Sequence, residues 1–249
     1  MIQIENLCKT YITKKRGVVT RVEAVKNLSL QCASGEIFGL LGPNGAGKTT
    51  TLRCISTLIK PTSGRISVDN YDVIENDKKV RSIIGFLTSD MRLDGFFTPD
   101  YLVEYFGRLN KMSPQQISRM KEELFTELGM EEFVDIKVDK LSTGMQQKTA
   151  LAVSLIHNPD VIIFDEPTNG LDVITAKTVT DFLEKSADDG KTVLISTHMM
   201  SVAEKICDKI GILIKGELRA QGTLSEILAN NGARSLDEVF FKHVETAYD

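Results

Sequence analysis

The sequence predicts an α/β fold in which a mixed β-sheet is built around a glycine-rich loop and a helical subdomain is inserted between two βα halves. The run GLLGPNGAGKTTTLR, residues 39–53, sits between an apolar strand-like stretch and a helical pattern. The middle of the chain loses its strand-like runs, and its apolar residues recur at helical spacing. From Asp160 onward, short apolar runs again alternate with helical patterns, which is the mark of a parallel sheet.

Taken in order, Ile2 to Ile12 and Ala24 to Cys32 read as strands joined by the hairpin-like KKRGVV segment. Glu36 to Leu41 is a buried strand that enters the glycine-rich loop. Thr49 to Ile59 is the following helix, ended by the Lys60-Pro61 step, and Gly64 to Val68 is the next strand. A further strand lies within IIGFLTSD. Thr98-Pro99-Asp100 is a helix start with proline at its first position, and Tyr101, Leu102, Tyr105, Phe106 and Leu109 follow at helical spacing. Ser113-Pro114 opens a second helix that stops at Gly129, and Ser142 caps a third that runs to Asn158-Pro159. Phe96, Phe97, Tyr101, Tyr105 and Phe106 are read chiefly as core, with a docking surface open to some of them. VIIFDE is an apolar strand ending in two carboxylates, Asp172 caps a helix ending near Gly190, and TVLIST is another strand. Ile210 to Ile214 and Gly216 to Ala220 form a hairpin, and capping boxes at Thr223 with Glu226 and Ser235 with Glu238 start the terminal helices.

Composition narrows the classes of function. The chain has 249 residues, enough for one large domain with a substantial core, and it holds no internal repeat. Its net charge of -4, from 30 basic and 34 acidic residues mixed along the chain, is not the footprint of a nucleic-acid binder. Lys14, Lys15 and Arg16 read as a solvated hairpin tip. The four cysteines, Cys8, Cys32, Cys54 and Cys207, are scattered without CxxC spacing, which disfavours a zinc site or a disulfide framework and fits a reducing cytosol. The N-terminus lacks the basic-then-apolar order of a signal peptide, and no apolar run reaches the ~18 residues of a membrane span. The expectation is a cytoplasmic protein that does not cross a membrane by itself.

The chemistry begins at Gly42, Gly47, Lys48 and Thr49, which satisfy the phosphate-loop pattern GxxxxGKT in its required strand-to-helix setting. Within Gly42, Pro43, Asn44, Gly45, Ala46 and Gly47, the glycines let successive N–H groups point into one concavity, and the following helix start adds partial positive charge. Lys48 reaches terminal phosphates, and the Thr49 hydroxyl is placed to ligate a magnesium ion bridging outer phosphate oxygens. Thr50 is a lesser candidate for the same phosphates. Asp165 and Glu166 end a later apolar strand, where an aspartate holds magnesium through water and a second carboxylate orients the attacking water.

With LSTGMQQK at 141–148, FDEPTNGLD at 164–172 and STH at 196–198 added, the chain resembles the ATP-binding cassette (ABC) ATPases over nearly all of residues 1–240. The resemblance implies a phosphate-loop NTPase core of ABC type, residues 1–88 and 161–222, which includes an antiparallel β subdomain. A helical subdomain at 89–160 and C-terminal helices at 223–249 complete the division. It implies ATP and Mg2+ as cofactors, a separate transmembrane permease as partner, and a head-to-tail pair with a second copy or a homologous subunit at the cytoplasmic face of the membrane. Ser142 and Gly144 match the signature segment that contacts the γ-phosphate bound by the opposite subunit. In that segment Thr143 and Met145 replace the usual glycine and glutamine. Asp172 matches the D-loop aspartate at the subunit interface and also serves as a helix cap. His198 matches the switch histidine at the γ-phosphate, while His157 and His243 read as structural. Tyr11 matches the aromatic residue that stacks on adenine, with edge packing as the competing role. Ser89 stands where the family usually places a magnesium-linking glutamine, which leaves the coupling residue open. The wording IGFLTSDMRLDGFFTP with LSTGMQQK is most similar to the sodium-efflux (NatA-like) branch of ABC exporters. The rival readings are a soluble ABC ATPase of translation or repair, disfavoured by a single cassette with no heptad tract, and a poorly hydrolysing regulatory module, disfavoured by Glu166 and His198.

Overall fold

A computed structural model describes residues 1–15, 18–88 and 91–248. The chain opens with β1 (Ile2–Lys15) and β2 (Val18–Cys32), then β3 (Ile37–Leu41), α1 (Lys48–Ile55), β4 (Ser63–Val68), β5 (Tyr71–Asp72), α2 (Asp77–Ile83) and β6 (Ile84–Leu87). Three helices follow, α3 (Pro99–Leu109), α4 (Pro114–Glu127) and α5 (Thr143–Leu155). The βα alternation then returns with β7 (Val161–Asp165), α6 (Val173–Asp188), β8 (Thr192–Thr197), α7 (Met200–Ile206), β9 (Lys209–Ile214) and β10 (Glu217–Gly222), before α8 (Leu224–Asn231) and α9 (Leu236–Tyr248).

The strands form two sheets. An antiparallel sheet has the order β2-β1-β4-β5, and a six-stranded one has the order β10-β9-β3-β8-β7-β6. Within the second, β9, β3, β8, β7 and β6 are parallel and only β10 runs against its neighbour. Every residue of β3, β7 and β8 is buried, so these central strands read as unbroken apolar runs, whereas the first sheet alternates. Helix α1 lies between the sheets, where Leu52 and Ile55 join Ile2, Ile4, Leu28, Leu40 and Ile163 in one core. That sandwich is what holds the start of α1 against the ends of β3 and β7.

A second core starts under α3, α4 and α5 with Leu102, Val103, Leu124, Leu128 and Leu151. It continues without a break into Phe164 of β7, Val193 and Ile195 of β8, and Val179 and Leu183 of α6. The third packs α7, α8 and α9 on β9 through Ala203, Ile210, Ile212, Ile227, Val239 and Phe240.

Several elements differ from expectation. Helix α1 ends at Ile55 instead of Ile59, because Thr57 turns left-handed at φ 64° and both Leu58 and Ile59 donate back to the Arg53 carbonyl. The hairpin strands run longer than predicted, to Lys15 and from Val18, with Arg16 of the basic tip outside the described residues. The short elements β5, α2 and α7 were not expected. Helix α2 buries only Val80 and Ile83, and α7 only Ala203 and Ile206, too few to set a period. At Thr223 the capping box is complete, but at Ser235 it is half made: Ser235 accepts from the Glu238 N–H, while the Glu238 carboxylate accepts from Arg234. The aromatic row also divides, with Phe97 and Phe106 against the core and Phe96, Tyr101 and Tyr105 exposed.

Candidate nucleotide site

Three adjacent parallel strands, β3, β8 and β7, bring the candidate residues together at their carboxyl ends, where open α/β sheets bind ligands. The glycine-rich loop leaves β3 and wraps the start of α1. Gly42 packs so closely on the end of β9 that a Cβ there would lie 2.3 Å from the Leu213 carbonyl oxygen. Gly47 has a φ of 107°, and its Cβ would lie 2.3 Å from the Ala24 carbonyl oxygen, so the loop's path is open to glycine alone at this position. The loop is further tied by the Gly216 N–H donating to the Ala46 carbonyl at 2.9 Å and the Gly42 N–H to that of Thr197 at 3.2 Å. Helix α1 starts with no side-chain cap and no acidic residue in its first turn. Its first N–H groups thus face the cleft as anion donors.

Lys48, buried at the head of α1, donates from Nζ to the carbonyls of Gly42 at 2.7 Å and Pro43 at 3.4 Å. It also pairs with Glu166 Oε1 at 3.2 Å. The other Glu166 oxygen, Oε2, lies 2.9 Å from His198 Nδ1 and accepts from the His198 N–H at 3.3 Å. Behind them the Thr49 hydroxyl donates to Asp165 Oδ2 at 2.7 Å, and Asp165 is 2% exposed. Asp165 ends β7 in extended conformation, but Glu166 has a left-handed φ of 53°, an unfavourable setting for a glutamate that turns its carboxylate toward Lys48.

A cleft of about 420 Å³ opens over this group. It is lined by loop residues Pro43, Asn44, Gly45, Ala46 and Gly47, by Lys48, Thr49 and Thr50, and by Glu166 and His198, with Tyr11 and Val22 of the first sheet as its far wall. Tyr11 is 37% exposed, pairs with Val22 across the hairpin and places its hydroxyl 3.5 Å from that of Thr50. The Lys9 ammonium lies 5.2 Å from the centroid of the Tyr11 ring, and the Tyr11 hydroxyl sits beside the first turn of α1.

The family model described as "ABC transporter" matches residues 25–169, which hold the loop and both acids. The ATP-binding protein NatA of Bacillus subtilis is 35% identical over 241 residues, 96% of this chain and 96% of that protein. The chain belongs to the ABC transporter family. It is an ATP-binding, ATP-hydrolysing subunit of that family. The daunorubicin resistance ATP-binding protein DrrA3 of Streptomyces coeruleorubidus is 36% identical over 217 residues, 87% of this chain and 69% of that protein. The dimeric post-hydrolysis state of the ATP-binding cassette MJ0796, bound to ADP and Pi, superposes with a TM-score of 0.80 at 32% identity, covering 90% of this chain and 99% of that one.

Among the described candidate residues of this ABC subunit, Gly42 and Asp165 adjoin the cleft without lining it, and Ser142, Gly144 and Asp172 do not line it either. Ser142 caps α5, accepting from the Met145 N–H at 3.3 Å. Gly144 packs against α6, where a Cβ would meet Thr175 Oγ1 at 2.9 Å and Asp172 Oδ2 at 3.5 Å. Asp172 caps α6 through the Ile174 and Thr175 N–H groups and the Thr175 hydroxyl, and these bonds, led by that hydroxyl, lower its pKa. Gly144 and Asp172 therefore lie side by side at the starts of α5 and α6. Immediately after the Asp172 cap, Val173 is 87% and Ile174 79% exposed, two apolar side chains left in solvent. Ser89 lies outside the described residues. Asn169, Val22 and Ala24 line the cleft without having been singled out, as a loop Asn and hairpin apolar residues carry no chemical signature. Ser196 entered only as the first letter of the STH match and was given no site role, since a serine inside an apolar strand reads as a strand residue, although its register partner is Asp165.

Proposed function

We propose that this subunit hydrolyses Mg-ATP at the interface of two such cassettes and drives a separate permease from the cytoplasmic face of the membrane. The observation that carries the site assignment is the meeting of Lys48, Thr49, Asp165, Glu166 and His198 at the rim of one loop whose close-packed glycines leave a concavity lined by backbone. The residues fit the groups. An uncapped helix start and a buried ammonium suit a polyphosphate, and a hydroxyl beside a carboxylate is the hard oxygen set that Mg2+ prefers. Lys48 and the loop amides meet the phosphate charge, Thr49 and Asp165 would hold the metal, which would supply positive charge to the phosphates, and Ser89, outside the described residues, is assigned by its place in the sequence as a lesser metal residue. Glu166 orients the attacking water, His198 positions Glu166 and reaches the γ-phosphate, and Tyr11 stacks on adenine. Ser142, Gly144 and Asp172 serve the nucleotide of the opposite subunit.

Residues 89–160 act as the helical subdomain in this reading. Its exposed aromatics border a mainly apolar cleft of about 470 Å³ between Met91, Leu93, Phe97, Tyr101 and Tyr105, which we assign to the permease. Export is supported by the resistance relative and the NatA-like wording. No helix among the described residues is long and apolar enough to cross a membrane. The test is Glu166→Gln: kcat falls by ~10²-fold or more while ATP affinity stays within threefold of wild type. Undiminished turnover would remove Glu166 from its role.

A further inference from the structure

We propose that Ser196 is a positioning residue that aligns both strand-end acids at once, an inference that rests on the Mg-ATPase reading of the site. Ser196 is fully buried on β8 and lies opposite Asp165 in register. Its hydroxyl donates to Asp165 Oδ1, the oxygen that Thr49 does not touch. With its hydrogen directed at Asp165, the same oxygen accepts the Glu166 N–H at 3.2 Å, and the Ser196 carbonyl accepts that N–H as well at 3.1 Å. One side-chain atom therefore fixes the rotation of the Asp165 carboxylate and pins the backbone of Glu166 where it turns left-handed.

The two jobs are separable from fold and from phosphate binding. Thr49 and Ser196 take opposite oxygens of Asp165, so when Thr49 turns its own oxygen to a metal ion, the Ser196 bond is the one that keeps the carboxylate in place. The left-handed turn at Glu166 is sparsely populated for a side-chain-bearing residue and persists only when its surroundings hold it. The doubly accepted N–H is a direct hold. The hydrogen bonds of the Ser196 hydroxyl run to Asp165 and Glu166, the two strand-end acids, and not to the residues of the glycine-rich loop, among the described residues. Deleting the hydroxyl leaves a buried carboxylate oxygen without its partner and loosens the glutamate, while Lys48 and the loop amides keep their geometry.

The experiment uses the full chain and three measurements on wild type, Ser196→Ala and Ser196→Cys. These are ATP binding without divalent metal by fluorescence, Mn2+ affinity in the presence of ATPγS by EPR, and steady-state kinetics with Mg-ATP. Ser196→Ala is expected to bind metal-free ATP within twofold of wild type, to lose about tenfold or more in Mn2+ affinity, and to lose about tenfold or more in kcat with KM within threefold. Ser196→Cys, which keeps a polar atom at the same position, should recover part of the Mn2+ loss. A purely structural role would instead lower metal-free binding together with the rest. Mn2+ affinity and kcat within twofold of wild type in Ser196→Ala would overturn the proposal. If Ser196→Ala fails to fold, Ser196→Cys decides: Mn2+ affinity weakened at least threefold with metal-free binding intact supports it, and wild-type Mn2+ affinity overturns it. A wild type that neither binds Mn2+ with ATPγS nor turns over would instead sink the Mg-ATPase reading itself.

Discussion

Tyr11 shows how far a single residue was legible. Its place near a strand end and its family match pointed to a base-stacking role, and the structure sets it on the wall of the cleft beside Val22. Stacking is present in ground and transition states alike, so Tyr11→Ala should raise KM by about three- to tenfold and leave kcat unchanged in steady-state assays. A lowered kcat at constant KM would assign it to the chemical step. The loop and acid residues were readable because phosphate and metal chemistry demand those residue types at that spacing, whereas Ser196 works through a cross-strand register that no linear pattern contains. Histidines differ in the same way. His157 keeps Nε2 3.0 Å from the Ile84 carbonyl, and burial holds its pKa below the ordinary value of about 6.5; His243 is lowered too, again chiefly by burial. The unfolded chain binds these protons more readily than the native one, so stability rises with pH between the lowered native value and 6.5 and is lost on acidification through that window. The thermal midpoint should fall from pH 7 to pH 5, and less steeply in His157→Gln; an identical slope would remove His157 from the account.

At the level of elements, what the chain announces is length and capping. Helices α3, α4 and α6 carry a side-chain cap and at least three buried residues each, and their starts were placed from sequence. Helices α2 and α7 have no side-chain cap and bury two residues apiece, so they form because flanking strands hold their ends and not because their sequences insist. The α1 terminus depends on the left-handed Thr57, a conformation hard to foresee for a β-branched residue. A cap should matter most at α4, where Ser113 accepts the Gln116 N–H and Gln116 Oε1 accepts that of Ser113. Ser113→Ala should cost about 1 kcal/mol, lowering Tm by about 2–4 °C in calorimetry. A shift below 0.5 °C, an order smaller than this ~1 kcal/mol implies, would show that packing under Leu124 and Phe125 holds α4 alone.

For the whole molecule, the βα alternation and the helical insertion were readable from the residues, but a separate antiparallel β subdomain came only with the family resemblance, because pairing partners lie far apart in the chain. The same distance governs the site. Ser142, Gly144 and Asp172 do not line the cleft that holds Lys48, and Val173 and Ile174 stand exposed after Asp172, so under the proposed reading one chain would present two half-sites. A second copy turned head to tail would join them and cover the exposed pair. Glu166→Gln should therefore accumulate as an ATP-bound dimer by light scattering, and adding Ser142→Arg should return it to monomer. A Glu166→Gln chain that stays monomeric at saturating ATP would point to a different subunit as the partner. A dimer indifferent to Ser142→Arg would remove the signature segment from the joint site.

Both oxygens of the Glu166 carboxylate are engaged, Oε1 by Lys48 and Oε2 by His198. Under the proposed reading, the carboxylate is thus aimed from two sides, and a change at either neighbour would reach the reaction through the angle of Glu166 as well as through its own charge.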